Sequence, residues 1–273
     1  MANLNAQYSD ILNEVLKHAP FEPEICIVLG SGLTNFVEKI ETIKSIDVSS
    51  LPNYPNLSVQ GHQGHLHFSN YKGKKLFVLN GRIHFYEGYS ISQCVLPLHI
   101  AARLGCKKIL LTNAAGGVNP LFKPGGLMLA SSFNGSIIWK KLANLIGRVT
   151  LEQKNSFLDL PSKELDAKIR IAALEEKIPL CEGIYWMSLG PSYETVAEIN
   201  MYRKFGADVV GMSTVHEAYY ASYMGLKVAS ISCITNFAAG LSLRALSHNE
   251  VMETAVEVKD NFERLVKRSI ELF

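Results

Sequence analysis

Six apolar runs punctuate this chain, EICIVLG, KKLFVLNG, KKILLTNAAGG, CEGIYWMSLG, ADVVGM and GLKVASISCITN, and all but ADVVGM end in glycine or asparagine. Their near-continuous apolar character, rather than strict alternation, is that of strands covered on both faces. Between them lie helical patterns. Tyr8 to His18 places Ile11, Leu12, Val15 and Leu16 on one side. SQCVLPLHIAARLG reads as an apolar helix kinked at Pro97, GSIIWKKLANLIG as a short amphipathic helix, and PSKELDAKIRIAALEEK as a helix closed by Pro179. Residues 215–224 and the C-terminal stretch opened by Ser247 to Glu250 complete the set, while LEQKNSF reads as an exposed connector. Strands alternating with helices predict one α/β domain over residues 1–273, with a largely parallel core and no linker or repeat.

Composition narrows what such a domain does. Hydrophobic residues make up 48% and mean hydropathy is +0.10, which suits a well-buried core. The net charge is only +2 and no lysine–arginine block stands out, so a nucleic-acid partner is not expected. No apolar stretch approaches a membrane span, and the N-terminus carries acidic residues where a signal peptide needs an apolar centre. The five cysteines, Cys26, Cys94, Cys106, Cys181 and Cys233, include no C-x-x-C pair and mostly lie in apolar runs. Buried reduced thiols and a cytoplasmic location follow.

The densest chemistry lies between Ser188 and Glu217. Thr195 to Glu198 has capping-box spacing, which leaves Tyr193 and Glu194 on the loop opened by Gly190-Pro191. An aromatic beside a carboxylate there can stack on a flat ring and accept its N–H groups. Thr214 to Glu217 repeats the spacing and puts Ser213 at a helix mouth, an anion position. Upstream, Arg82, His84 and Tyr86 alternate after a strand; an extended backbone would set all three on one side, with Arg82 suited to an oxyanion. An Arg82–Glu87 pair is the plainer alternative.

Ala114, Ala115 and the glycines after them leave backbone amides bare, with Asn113 and Asn119 as braces. GSGL (30–33) lacks the third glycine of a dinucleotide fingerprint and the lysine of a P-loop, leaving Ser31 at a strand end. His65 and His67 share a strand face as zinc ligands sometimes do, but no carboxylate or cysteine follows at ligand spacing. His62, on a loop beside Gly61, reads instead as an anion contact.

Taken in order, GSGL, GHQGHL, NGRIHFYEGY, TNAAGGVNP, GPSYETVAE, GADVVGMST, ITN and SHNEV resemble the purine nucleoside phosphorylases, in their trimeric class. The resemblance spans about residues 25 to 260, with a gap near 131–160. It implies a single α/β domain with a distorted mixed sheet flanked by helices. It implies phosphate contacts from Ser31, His62, Arg82, His84, the Ala114 amide and Ser213. Tyr86, Met212 and His248 would meet the ribose. Tyr193, Glu194 and Asn236 would meet the purine, with His84, Glu194 and Asn236 bearing on catalysis. A homotrimer is implied, with phosphate as co-substrate and no metal or organic cofactor.

The chain departs from the family pattern at several points. SSFN (131–134) stands where the family carries Asp-His-Ile-Asn. The loop that in such enzymes lends an aromatic to a neighbouring subunit has no clear match in 135–157, and Phe157 is taken as its candidate. His216 replaces a proline, and Phe237 stands where mammalian members carry lysine. The expected activity is phosphorolysis of inosine- or guanosine-like nucleosides. A nucleoside-binding relative with little turnover is one alternative. A methylthioadenosine phosphorylase is another, against which Glu194 and Asn236 argue.

Overall fold

The computed structural model describes residues 4–30, 33–57, 64–242 and 248–273, the backbone alone at 248–252 and 255. Nine strands form one mixed sheet: β1 (Ile25–Val28), β2 (Glu41–Asp47), β3 (His65–Tyr71), β4 (Lys74–Asn80), β5 (Lys108–Gly117), β6 (Leu127–Asn134), β7 (Leu180–Met187), β8 (Val209–Gly211) and β9 (Lys227–Phe237). The helices are α1 (Leu4–Gln7), α2 (Ser9–His18), α3 (Ile91–Cys94), α4 (Leu96–Arg103), α5 (Trp139–Ile146), α6 (Leu151–Leu158), α7 (Lys163–Glu175), α8 (Val196–Lys204), α9 (Val215–Tyr223) and α10 (His248–Leu272).

The strand order is β2-β3-β4-β1-β5-β8-β7-β6-β9, and a further β5–β9 pairing closes the last five strands into a ring. The sheet is mixed rather than largely parallel. β1 runs parallel to β4 and β5, and β5 to β9, whereas β6, β7 and β8 run against them. Hairpin β2–β3–β4 adds an antiparallel edge.

Side-chain alternation along β1 divides the core. Cys26 and Val28 join Ile11 and Val15 of α2, Leu98 of α4 and Ala218 of α9 on one face. Ile25 and Ile27 join Leu165 and Ile169 of α7 and Phe262 and Leu265 of α10 on the other. Burial on both faces is what the continuous apolar runs require.

Several local expectations change. Pro97 does not kink one helix; it lies in the first turn of α4, where a missing N–H is harmless, and α3 stops just before it. LEQKNSF is not a connector but helix α6, opened by a capping box between Thr150 and Gln153. The Thr195–Glu198 box at α8 forms as expected, with Glu198 N–H donating to Thr195 Oγ1 at 3.3 Å and Thr195 N–H to Glu198 Oε2 at 2.7 Å.

β5 places the site. β1 pairs with it only as far as Leu111, so 112–115 lie on an edge that β1 has left, and β8 returns alongside at Gly116 and Gly117. Gly30 crosses that edge: a Cβ there would lie 2.6 Å from Asn113 Cα, so only glycine fits.

Candidate active site

Arg82 follows β4 and is 2% exposed. Its Nε donates to both oxygens of Glu217, at 2.9 and 3.1 Å, and Nη1 donates to Thr112 O at 3.0 Å. Nη2 is buried and has no hydrogen-bond partner among the described residues. The carboxylate partner is therefore Glu217, not Glu87. The second capping box does not form either: Thr214 makes no side-chain cap, because Glu217 turns inward to the guanidinium. A buried arginine without a counter-charge would be far costlier than an uncapped helix end.

Thr214 holds the turn before α9 at φ +71°, a strained conformation for a β-branched residue. Asn113 Nδ2 donates to its Oγ1 at 3.0 Å, and Ser213 Oγ lies 3.1 Å from the same oxygen. Asn113 braces this turn, while Asn119 braces the loop after β5 through Asp208 at 2.8 Å. Thr112 O faces Arg82, and alternation along β5 turns the Ala114 amide to the same edge. Arg82, Ala114 and Ser213 thus lie about the same stretch of β5, residues 112–114.

His84 does not continue an extended strand to Tyr86, since Phe85–Glu87 is a single 3-10 turn. Glu87 drives that turn, accepting from the His84 backbone N–H at 2.8 Å while its Oε1 lies 3.2 Å from Nδ1. Tyr86 comes round to stack on His84, ring centroids 4.8 Å apart and planes at 21°. Burial, with Glu87 adding to it, pushes the Tyr86 phenol up to about 12, so it stays a hydroxyl donor. Gly190, at φ +64°, sits where a Cβ would lie 2.6 Å from Met212 Sδ and 3.1 Å from Tyr86 Cδ1. This close approach brings Tyr86, Met212 and the Gly190-Pro191 loop to one wall.

On that loop Tyr193 is 42% exposed, and Glu194 accepts a short hydrogen bond from Ser188 Oγ at the end of β7. Opposite, Asn236 near the end of β9 is buried beside Gly116; Thr235 Oγ1 donates to its Oδ1 at 2.9 Å, and its Nδ2 donates to Phe237 O at 3.0 Å. A carboxylate and an oriented amide suit the edges of a heterocycle. Fully buried His216 adjoins the Arg82–Glu217 pair, and burial lowers it to about 4, so it is neutral at physiological pH.

Ser31 and His62 lie outside the described residues; so does the His248 side chain, although His248 begins α10 as expected. Phe157 packs on Tyr219 of its own chain, centroids 6.0 Å apart. His65 and His67 stack, but among the described residues no three metal-ligating side chains converge. Glu217, Glu87, Ser188 and Thr235 were not among the expected site residues. Glu217 reaches a partner far away in the chain, Arg82, whereas Glu87, Ser188 and Thr235 bond the nearby His84, Glu194 and Asn236.

The mixed sheet flanked by helices, with these side chains near its strand ends, belongs to a class with known relatives. Residues 24–271 match the model of the phosphorylase superfamily, to which the chain belongs. Within it, its relatives are purine nucleoside phosphorylases. Purine nucleoside phosphorylase 1 of Geobacillus stearothermophilus is 39% identical over 256 residues, covering 91% of this chain and 90% of that protein. That of Bacillus subtilis is 38% identical, covering 93% of each. The Schistosoma mansoni purine nucleoside phosphorylase in complex with inosine superposes with a TM-score of 0.87 at 30% identity, over 97% of this chain and 96% of that one.

Proposed function

We propose that this chain cleaves 6-oxopurine nucleosides, inosine and guanosine or their deoxy forms, with inorganic phosphate. The products are the free base and (deoxy)ribose 1-phosphate. The observation that carries the phosphate reading is buried Arg82, anchored on two sides with Nη2 buried and without a hydrogen-bond partner among the described residues. Water needs no such fork, whereas a phosphate oxyanion matches it. Ser31, His62, His84, the Ala114 amide and Ser213 complete the anion site in this reading.

In the reaction the C1′–N9 bond breaks with its electron pair going to the purine, leaving cationic character on the sugar. A phosphate oxygen then bonds to C1′, and the proton of hydrogen phosphate ends on the base. Asn236 stabilises charge gathering at N7, Glu194 accepts N1–H, and Tyr193 lies along the ring. Tyr86, Met212 and His248 hold the ribose. Acceleration is chiefly positioning and electrostatics, with no protein nucleophile, metal or organic cofactor.

We place the enzyme in purine salvage in the cytoplasm, a location supported by five free cysteines and no C-x-x-C pair. We assign it a homotrimer. The partly or largely exposed apolar side chains of Ile137, Trp139, Leu151 and Leu158 supply surface that a second copy would cover. Phosphorus NMR on a mixture of inosine, phosphate and enzyme tests the reaction. A growing sugar-phosphate resonance matching hypoxanthine release is expected; hypoxanthine with free ribose would contradict it. Light scattering at the trimer mass tests the assembly, and a fully active monomer would overturn it.

A further inference from the structure

Glu217 lies in the first turn of α9, where a carboxylate ordinarily caps the helix. Here it is 1% exposed, both of its oxygens lie on Arg82 Nε, and the preceding turn is held at positive φ by Asn113. The other anchor is equally fixed. Thr112, whose carbonyl takes Nη1, donates its own hydroxyl to Val28 O at 2.8 Å and accepts Gly30 N–H at 3.1 Å. Two rigid acceptors therefore hold two sites of the guanidinium, and Nη2 remains buried without a hydrogen-bond partner among the described residues.

We propose that Glu217 is a positioning residue for phosphate. By holding Nε it fixes the plane of the Arg82 fork, so that Nη2 meets the anion without reorganisation. This rests on the reading that Arg82 contacts phosphate. The obvious rival is that Glu217 merely balances charge. The two differ in sign, because a buried negative charge beside Arg82 weakens its pull on an anion. Neutralising a pure charge balancer would tighten phosphate binding; disturbing a positioning residue weakens it.

Two variants separate these outcomes. Glu217→Gln keeps the shape and one acceptor but removes the charge. Glu217→Asp keeps the charge but shortens the reach, and it carries the same comparison should the first fail to fold. Positioning predicts that both raise KM for phosphate, by about tenfold, since angstrom-scale misplacement of a binding group is felt strongly. KM for the nucleoside at saturating phosphate should stay within about twofold. A readout independent of turnover is the rise in Tm on adding inorganic phosphate, which should need about ten times more phosphate in each variant. Phosphate requirements unchanged or lowered in the folded variants, with Arg82→Ala impaired, would overturn the proposal. Arg82→Ala with unchanged phosphate dependence would instead overturn the phosphate assignment beneath it.

Discussion

Thr235 Oγ1 donates to Asn236 Oδ1 at 2.9 Å, while Asn236 Nδ2 donates to Phe237 O at 3.0 Å. A carbonyl can only accept, so the nitrogen must face Phe237 and the amide cannot flip. In the proposed reading Asn236 keeps one N–H, in a fixed position, for a purine N7. Asn236→Ala should lower kcat/KM for inosine by about 10²–10³-fold, the range for losing one donor at a developing charge. Thr235→Val should lower it less, by loosening the amide. Steady-state kinetics on both variants checks this; a Thr235→Val loss larger than that of Asn236→Ala would contradict the order.

Because N7 accepts in every purine, discrimination falls to Glu194. Ser188 orients that carboxylate at the end of β7. The N1–H of inosine or guanosine can donate to it, whereas adenosine presents a bare lone pair, an acceptor facing an acceptor. Mismatched buried polar groups cost about 1–3 kcal/mol, and sites built on hydrogen bonds can discriminate more strongly. Inosine should be cleaved far faster than adenosine, and Glu194→Gln should narrow the gap. Equal kcat/KM for the two on the unaltered enzyme would show that Glu194 does not read N1.

Arg82→Ala should remove about 2–4 kcal/mol of transition-state stabilisation in phosphate use. It should also lower Tm, because Glu217 would be left buried and unpaired. Saturation curves in phosphate together with thermal unfolding measure both effects. Loss of activity without any loss of Tm would mean that the ion pair has no part in stability.

Acid should destabilise the fold. Burial lowers His67, His99 and His216 to about 4 each, so their unfolded forms take up protons between pH 6.5 and 4 that the folded chain refuses. Asp166 acts oppositely: burial raises it to about 7, so the folded chain holds a proton there that the unfolded chain has released above pH 4. Three protons against one leave stability falling as pH drops from 6.5 toward 5. Asp166→Asn should steepen that fall and raise Tm at pH 8, where the native carboxylate is buried and charged. Thermal unfolding at pH 5, 6.5 and 8 tests the sign.

The α/β class was legible in the sequence, and so were the strand ends and caps near which the candidate residues lie; strand direction and long-range pairing were not. Arg82, His84, Tyr86, Ser213 and Asn236 lie after or near the ends of apolar strands, and a loop between glycine turns or caps is visible without knowing what faces it. Thr195 with Glu198 is a purely local device and forms as read. Thr214 with Glu217 has the same spacing, but Arg82, 135 residues away, claims the carboxylate. The reversal of β6 to β8 was hidden as well: the chain turns back in the short connection 118–126 between β5 and β6, and the apolar runs carry no direction. Glu87 was legible as a carboxylate near an arginine, and only the 3-10 turn reveals histidine as its partner.

The proposed reaction hands the sugar to phosphate rather than to water, and one measurement addresses this directly. Enzyme freed of phosphate by dialysis is mixed with inosine, and hypoxanthine release is followed as inorganic phosphate is titrated back. Release should be near zero without phosphate and rise to saturation with it. Undiminished release in phosphate-free buffer would make the chain a hydrolase and contradict the role given to Arg82.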